Sequence, residues 1–171
     1  TPAKEVPIAD IGSTKIKKIL KDMKSALATQ SDGVAIAAPQ IGVSYRIFVV
    51  SGKIFDSRWQ RGEGIPNGEK PDSPDIAFIN PVITKVSKTK KWMHEGCLSV
   101  RPLWGEVHRS TQATITAYDE DGKKFIRGAS GLLAHIFQHE TDHLDGILFI
   151  DKARNIAPGF SPESEKKSSK K

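Results

Sequence analysis

The sequence predicts an α+β fold, with antiparallel strands around a helix that carries a candidate metal site. Residues 111–118 alternate apolar side chains with threonines, and Asp121-Gly122 then predicts a hairpin turn into a second strand. Residues 130–146 follow directly, with apolar residues at helical spacing between a serine N-cap and a terminating glycine. A strand pattern of alternating apolar and polar residues that leads directly into a helical pattern indicates one domain with both helices and strands.

The earlier part of the chain predicts a supporting helix and several strands. Ser13 or Thr14 begins a helix to about residue 28, with an apolar stripe facing the core and lysines facing solvent. Residues 46–50 predict a buried strand, and residues 51–75 predict a long surface loop with a short turn.

Two further strands are predicted at residues 76–79 and 81–87, with a break at Asn80-Pro81. A charged turn at residues 88–91 then precedes the only cysteine of the chain, Cys97.

Composition limits the class of protein. The chain has 171 residues, 37% of them hydrophobic, which predicts one domain over residues 1–160. Residues 161–171 contain only Ser, Pro, Glu and Lys, and we expect this tail to be disordered. The net charge of +6 is spread along the chain and favours polyanionic neighbours such as RNA only weakly.

The sequence has no secretory signal and no apolar run long enough to span a bilayer, so no membrane association is predicted. A single cysteine excludes an internal disulfide and fits a reducing compartment. The expected location is therefore a bacterial-type cytoplasm. Because the chain begins at Thr1, an organelle is expected instead if an upstream transit peptide has been removed.

The segment that predicts chemistry is His139-Glu140-Thr141-Asp142-His143. In a helix, His139 and His143 lie one turn apart on the same face, where both imidazoles can bind one metal ion. Glu140 then lies beside that ion as a general base. The alternative is a solvated helix in which two histidines are four residues apart by chance.

A catalytic metal site of this kind normally has a third protein ligand, and its fourth coordination position is open for water. Cys97 is a candidate, since Gly96 lets the backbone pass close to a neighbouring group and polar residues flank the thiol. The alternative is an inert buried thiol. A thiolate with two imidazoles would give a Cys-His-His site.

Three segments resemble the signature motifs of peptide deformylases. They are Glu95-Gly96-Cys97-Leu98-Ser99, the segment from Gln138 to His143, and Gly33-Val34-Ala35-Ile36-Ala37-Ala38-Pro39-Gln40. Their order and spacing are those of the family, and the resemblance covers residues 16–152. It implies twisted antiparallel strands around a central metal-binding helix, and removal of the formyl group from N-formyl-methionyl peptides.

The resemblance also implies roles for individual residues. The metal ligands would be Cys97, His139 and His143, with Glu140 moving protons, while the Gln40 amide and the Leu98 backbone N–H stabilise the oxyanion. Residues that position the ligands would be Glu95, Arg109 and Asp142, although each could instead form a surface ion pair. Substrate contacts would come from Gly33, Val34, Ala35, Ile36, Gly96, Leu132, His135 and Ile136.

The sequence departs from the family pattern at three positions. Ala35 replaces a glycine, and Arg101 stands where the family usually has proline, so peptide preference is expected to differ. His135 replaces an aliphatic residue. It either lines the pocket for the first substrate side chain or is a core histidine hydrogen-bonded to the backbone. His135 and His143 are ~12 Å apart along a helix, too far to bind one ion together.

The donor set suits iron, zinc, nickel or cobalt, and the resemblance favours Fe²⁺ in the cell. The implied partners are nascent N-formyl-methionyl peptides, with weak ribosome association through basic residues or the tail. A monomer is expected.

Two other functions fit parts of the sequence. A zinc peptidase shares His-Glu-x-x-His but usually takes its third ligand downstream, where only Asp145, Asp151, Glu163 and Glu165 are available. A non-catalytic RNA-associated protein would explain the positive charge but leaves the three motifs unexplained.

Overall fold

The computed structural model of the chain describes residues 1–158 and shows a mixed α/β fold with two antiparallel sheets and few helices. The α-helices are α1 (Thr14–Ala28), α2 (Ser57–Gln60) and α3 (Gly131–Leu144). The strands are β1 (Ala35–Ala37), β2 (Ile47–Val50), β3 (Ile76–Val86), β4 (Lys90–Gly96), β5 (Leu103–Ser110), β6 (Gln112–Tyr118), β7 (Lys124–Ser130) and β8 (Arg154–Pro158). One sheet has the order β1-β2-β3-β6-β7, and the other has the order β4-β5-β8.

Around β2, the five-stranded sheet is covered on both faces. Strand β2 is fully buried, and its alternate residues enter different core clusters: Phe48 packs with Phe137 of α3, whereas Ile47 packs with Leu20 of α1. Because successive strand residues point to opposite faces, a strand between two helices needs an unbroken apolar sequence. This explains the run of four apolar residues at 47–50.

Several predicted elements are observed at their predicted positions. Helix α1 begins at Thr14, and the Ser13 side chain accepts a hydrogen bond from the Ile16 N–H, as expected for an N-cap. Strands β6 and β7 form the predicted hairpin, whose turn is held by Asp119 Oδ1 through bonds from the N–H groups of Asp121 and Lys123.

The predicted break at Asn80-Pro81 is wrong, because β3 is one continuous strand from Ile76 to Val86. Asn80 adopts a φ of 50°, and a register irregularity between Ile79 and Val82 accommodates it. The Asn80 side chain also bonds both the N–H and the C=O of Val6 at 2.8 Å. An asparagine tolerates this backbone conformation, so the strand bends here and continues.

Two other regions differ from their predicted form. Residues 90 and 91 begin β4 and do not belong to a turn, and the exposed strand β8 was not predicted because it lacks alternation. The 51–75 segment does contain short helical turns, but it is anchored by the fully buried Asp56, which accepts bonds from Arg58. The predicted disordered tail, residues 161–171, lies outside the described residues.

Helix α3 contacts both sheets. It begins immediately after β7, with Gly131 at a φ of 58°, and its apolar face packs on the five-stranded sheet. Ser130 is the N-cap residue, as predicted, but its side chain makes no capping bond. Gln138 joins α3 to β5, since its amide bonds both the N–H and the C=O of Ser110 at 3.0 and 2.9 Å. These contacts orient the histidines of α3 toward the end of β4.

Within residues 1–158, none of the helices has the length and apolar character that crossing a bilayer requires.

Candidate metal centre and substrate cavity

Three buried side chains from two elements converge at one point. Cys97 directly follows β4, and His139 and His143 lie one turn apart on α3. Cys97 Sγ is 3.0 Å from His143 Nε2, and the potential ligand atoms of all three residues lie within 4.8 Å of one another. A tetrahedral ion with bonds of ~2.0–2.3 Å needs ligand atoms about 3.5 Å apart. The cluster therefore has the donor set and spacing of a site for one metal ion.

The ring of His139 is oriented by a carboxylate. Its Nδ1 lies 2.5 Å from Glu95 Oε1, so Nε2 is the ring nitrogen directed toward the cluster. Carboxylates commonly hold metal-binding histidines in this way, fixing both the tautomer and the ring orientation. Glu95 thus acts on the candidate ligand without belonging to the cluster.

Glu95 is itself buried and accepts bonds from several donors. Arg109 donates through Nε and Nη2 at 2.8 and 2.9 Å, and His135 Nε2 lies 2.8 Å from Glu95 Oε2. Burial raises the pKa of Glu95, but the bonds from His135, His139 and Arg109 outweigh it and hold that pKa well below its usual range. Arg109 also donates to Asp142 at 2.6 Å. Glu95 and Arg109 thus form a buried ion pair, whereas Asp142 is partly buried and also pairs with the exposed Lys152.

The thiol and imidazoles of the cluster polarise one another. Burial raises the pKa of Cys97, but bonding to His139 and His143 outweighs it and lowers that pKa to about 5. Burial lowers the pKa of His139, but bonding to Cys97 and Glu95 raises it to about 10. A thiolate is the form of cysteine that binds metal, and a cation would take the place of the imidazole protons. This electrostatic environment fits a divalent ion.

Glu140 lies beside the cluster but is not part of it. Its Oε1 is 3.9 Å from His139 Nε2, and its buried Oε2 makes no hydrogen bond to any described group. Burial raises the pKa of Glu140. A carboxylate that is both buried and available for a further bond is suited to accepting and returning a proton.

Gln40 also reaches the cluster, through its side-chain amide. Its Oε1 accepts a bond from the Ala37 N–H at 2.7 Å, which turns the amide nitrogen toward Ser99 Oγ at 3.0 Å and Cys97 Sγ at 3.7 Å. The sequence singled out Gln40 but not Ser99 as its partner. Leu98 begins a short 3-10 helix next to Cys97, and its backbone role stays a prediction.

A cavity of about 230 Å³ opens beside the cluster. It includes seven of the eight residues predicted to contact substrate, which are Gly33, Val34, Ala35, Gly96, Leu132, His135 and Ile136. Ile36 is not in the lining, because its side chain points to the opposite face of β1 and packs in the cluster with α1. His135 lines the cavity, and its Nε2 lies 2.8 Å from Glu95 Oε2, while its contact with substrate stays a prediction.

Five other lining residues were not among the predicted substrate contacts, although the sequence did mark Arg101 as a departure that affects peptide preference. They are Asp32, His94, Arg101, Leu103 and Trp104. Trp104 packs so closely over Gly96 that a Cβ at that position would lie 2.7 Å from the indole ring. This close approach gives a reason for the glycine in the motif, but no pattern in the sequence identifies the tryptophan as its neighbour.

A buried Cys-His-His cluster with an adjacent glutamate, at the end of an apolar cavity, defines a mononuclear metal site of the hydrolytic type. The family model described as Polypeptide deformylase matches residues 1–158. The chain therefore belongs to the peptide deformylase family.

Relatives occur in bacteria and in plant organelles. Peptide deformylase 1A, chloroplastic/mitochondrial, of Arabidopsis thaliana is 40% identical over 150 residues, or 88% of this chain and 55% of the relative. Peptide deformylase of Carboxydothermus hydrogenoformans is 42% identical over 150 residues, or 88% and 84% of the two chains. A peptide deformylase from Synechococcus elongatus, solved in complex with actinonin, gives a TM-score of 0.76 at 29% identity, covering 91% and 74%. The chain thus spans little more than half of the Arabidopsis relative.

Proposed function

We propose that this chain is a metal-dependent hydrolase that removes the formyl group from the N-terminal formyl-methionine of nascent polypeptides and releases formate. The observation that carries the proposal is the buried Cys97–His139–His143 cluster with Glu140 beside it at the end of the cavity. Family membership supports the same reaction.

The cluster would hold one divalent cation. When bound, the cation supplies Lewis-acid activation of the attacking water and of the formyl oxygen. The preference for Fe²⁺ rests on resemblance to the family, since two imidazoles and a thiolate also suit zinc, nickel and cobalt. If iron is the cellular metal, activity should be lost in air and zinc substitution should restore oxygen tolerance. Full activity of aerobically purified, iron-loaded protein would contradict the predicted sensitivity to air.

Glu140 would move the protons of the reaction. It accepts a proton from the attacking water, and it returns that proton to the amine as the C–N bond of the formamide breaks. The balance is one water and one formyl-peptide converted to formate and a free amino terminus. Burial of Glu140 favours its protonated form, which helps it to hold the proton between the two steps.

Two donors would meet the negative charge that develops on the formyl oxygen. The Gln40 amide is held in position by the Ala37 N–H and by Ser99 before any substrate binds. The Leu98 backbone N–H is the second proposed donor. Removal of one such donor typically costs ~3 kcal/mol of transition-state stabilisation.

The peptide would bind as an added strand along β1. This strand is at the outer edge of the five-stranded sheet, and within residues 1–158 its second edge has no strand partner. The first side chain of the substrate would enter the cavity beside Gly96, Leu132 and Ile136, with His135 as the polar part of the wall. A His135→Leu variant should keep its metal and shift the preference among formylated first residues. Loss of the metal instead would show that His135 belongs to the ligand set.

The decisive experiment measures metal content and formate release from formyl-Met-Ala-Ser. Glu140→Gln should keep near-stoichiometric metal and lose most turnover, whereas the exposed Glu63→Gln should retain wild-type turnover. Substantial activity in Glu140→Gln would remove that residue from proton transfer. A zinc peptidase would instead cleave internal peptide bonds without releasing formate, and an RNA-associated protein would do neither.

Partners and location are part of the same proposal. We expect a monomer in a bacterial-type cytoplasm or an organelle, with nascent formylated chains as substrate. The tail at residues 161–171 carries four lysines and two glutamates, which would attract ribosomal RNA weakly. Removing the tail should lower ribosome co-sedimentation at low salt. Unchanged co-sedimentation would leave the tail without this role.

A further inference from the structure

One ion pair in the lining of the cavity joins two parts of the chain that are distant in sequence. Asp32 lies in the turn between α1 and β1, and Arg101 lies in the segment between Cys97 and β5. Arg101 Nη2 is 2.5 Å from Asp32 Oδ1, although the two residues are 69 positions apart. Both side chains line the cavity that also contains Glu140. The pair therefore forms part of the lining of the proposed substrate cleft.

The pair lies away from the point where chemistry would occur. Gln40, next to Cys97, follows the C-terminal end of β1, whereas Asp32 precedes the N-terminal end of the same strand. An extended chain advances ~3.3 Å per residue. A peptide bound along β1 with its formyl group at Cys97 would thus bring its second or third residue to Asp32 and Arg101.

The two charges are available to a third group. The side chains of Arg101 and Asp32 are 48% and 39% exposed, so their mutual attraction is that of a weak surface pair. The other two carboxylates of the lining, Glu95 and Glu140, are buried. Asp32 and Arg101 are thus the charged lining residues in contact with water, and together they present no net charge.

We propose that Asp32 and Arg101 determine how charge at the second or third substrate residue affects turnover. Arg101 contacts an acidic side chain and Asp32 contacts a basic one. Because the two residues neutralise each other, the intact pair accepts both classes, which suits an enzyme that meets many different sequences. This inference rests on the proposed deformylase function.

The test compares kcat/KM for formyl-Met peptides with Lys, Glu or Ala at the second or the third position. Arg101→Gln leaves Asp32 unpaired, which at low salt should raise kcat/KM about fivefold for the Lys peptide and lower it about fivefold for the Glu peptide, as expected for one unit charge near 4 Å in water. The Lys-to-Glu ratio should therefore rise about 25-fold. Asp32→Asn should lower that ratio by a similar factor. The double variant should return to the wild-type ratio, and added salt should reduce both single-variant effects.

Arg61→Gln is the matched control, since Arg61 is paired with Glu63 and is absent from the cavity lining. Its ratio should equal that of the wild type. The inference would be overturned if both single variants kept a Lys-to-Glu ratio within twofold of the wild type at both peptide positions. It would also be overturned if the ratio shifted in the same direction in both variants. Release of formate from the Ala peptides would show that the proposed function still holds in that case. No formate from any peptide would overturn both.

Discussion

Replacing Glu95 with glutamine should be among the most damaging single changes near the metal centre. The Glu95 side chain is 2% exposed. Its two oxygens accept two hydrogen bonds from Arg109 and contact His135 Nε2 and His139 Nδ1. Glutamine has nearly the same shape but carries no charge, and its NH₂ group would face these donors. Arg109, itself only 4% exposed, would keep Asp142 alone as its acidic partner.

The magnitude follows from this burial. Removing one partner of a buried ion pair leaves an uncompensated charge and typically costs 3–5 kcal/mol, so we expect about that loss in the free energy of unfolding. His139 would also lose the acceptor that orients its ring. Loss of such a supporting carboxylate typically weakens metal binding by about 10–100-fold.

Urea unfolding of the metal-free protein would measure the first effect, and competition with a chelator would measure the second. Asp22→Asn is the control, because Asp22 forms only an exposed pair with Lys18 one helical turn away and should cost less than about 0.5 kcal/mol. The pKa of Glu95 is lowered in the folded state. The contribution of ionised Glu95 to the free energy of unfolding is therefore fully present at a pH above its unfolded pKa of 4.5. This contribution is lost as the pH falls toward the pKa of the folded state.

The difference between the wild type and Glu95→Gln should accordingly shrink as the pH falls below about 4.5. A loss below about 1 kcal/mol at neutral pH, together with unchanged metal affinity, would refute the view that Glu95 holds this network.

Three further outcomes are expected. In the metal-free protein, the ultraviolet absorbance of the Cys97 thiolate, measured against Cys97→Ser, should appear as the pH rises through about 5, and a midpoint near 9 would contradict the proposed electrostatics. Asp56→Asn should speed limited proteolysis of residues 51–75, because Arg58 loses a fully buried acceptor; equal rates would show that other contacts hold the segment. Gly96→Ala should destabilise the protein by displacing the Trp104 ring, and adding Trp104→Leu should restore part of the loss; no recovery would mean that the ring is not the obstacle.

The sequence predicted those features that depend on neighbours within the chain. Helix α1 and the β6–β7 hairpin follow from periodicity, capping and turn chemistry. The pairing of His139 with His143 follows from their spacing on one helix. The position of Cys97 beside them was implied by resemblance, since no local rule brings a residue 46 positions away into contact with His143.

Features that depend on distant partners were not predictable in this way. The sequence marked Glu95 as a candidate, but it gave no sign that His135 also bonds its carboxylate. The Asp32–Arg101 pair joins two loops whose approach is set by the packing of the whole domain. Strand β3 continues through Asn80, whose side chain bonds the distant Val6, whereas residue propensity alone suggested a break.

The location of the candidate ligands on elements far apart in the chain has a consequence for biosynthesis. Cys97 follows a strand of the three-stranded sheet, whereas the two histidines belong to a helix packed on the five-stranded sheet. The strands β5, β6 and β7 must all be synthesised before α3 can meet Cys97. A cation can therefore be captured with full affinity only late, after the ribosome has released the chain beyond His143. Metal uptake would then report the completed docking of the two sheets and not the formation of either one.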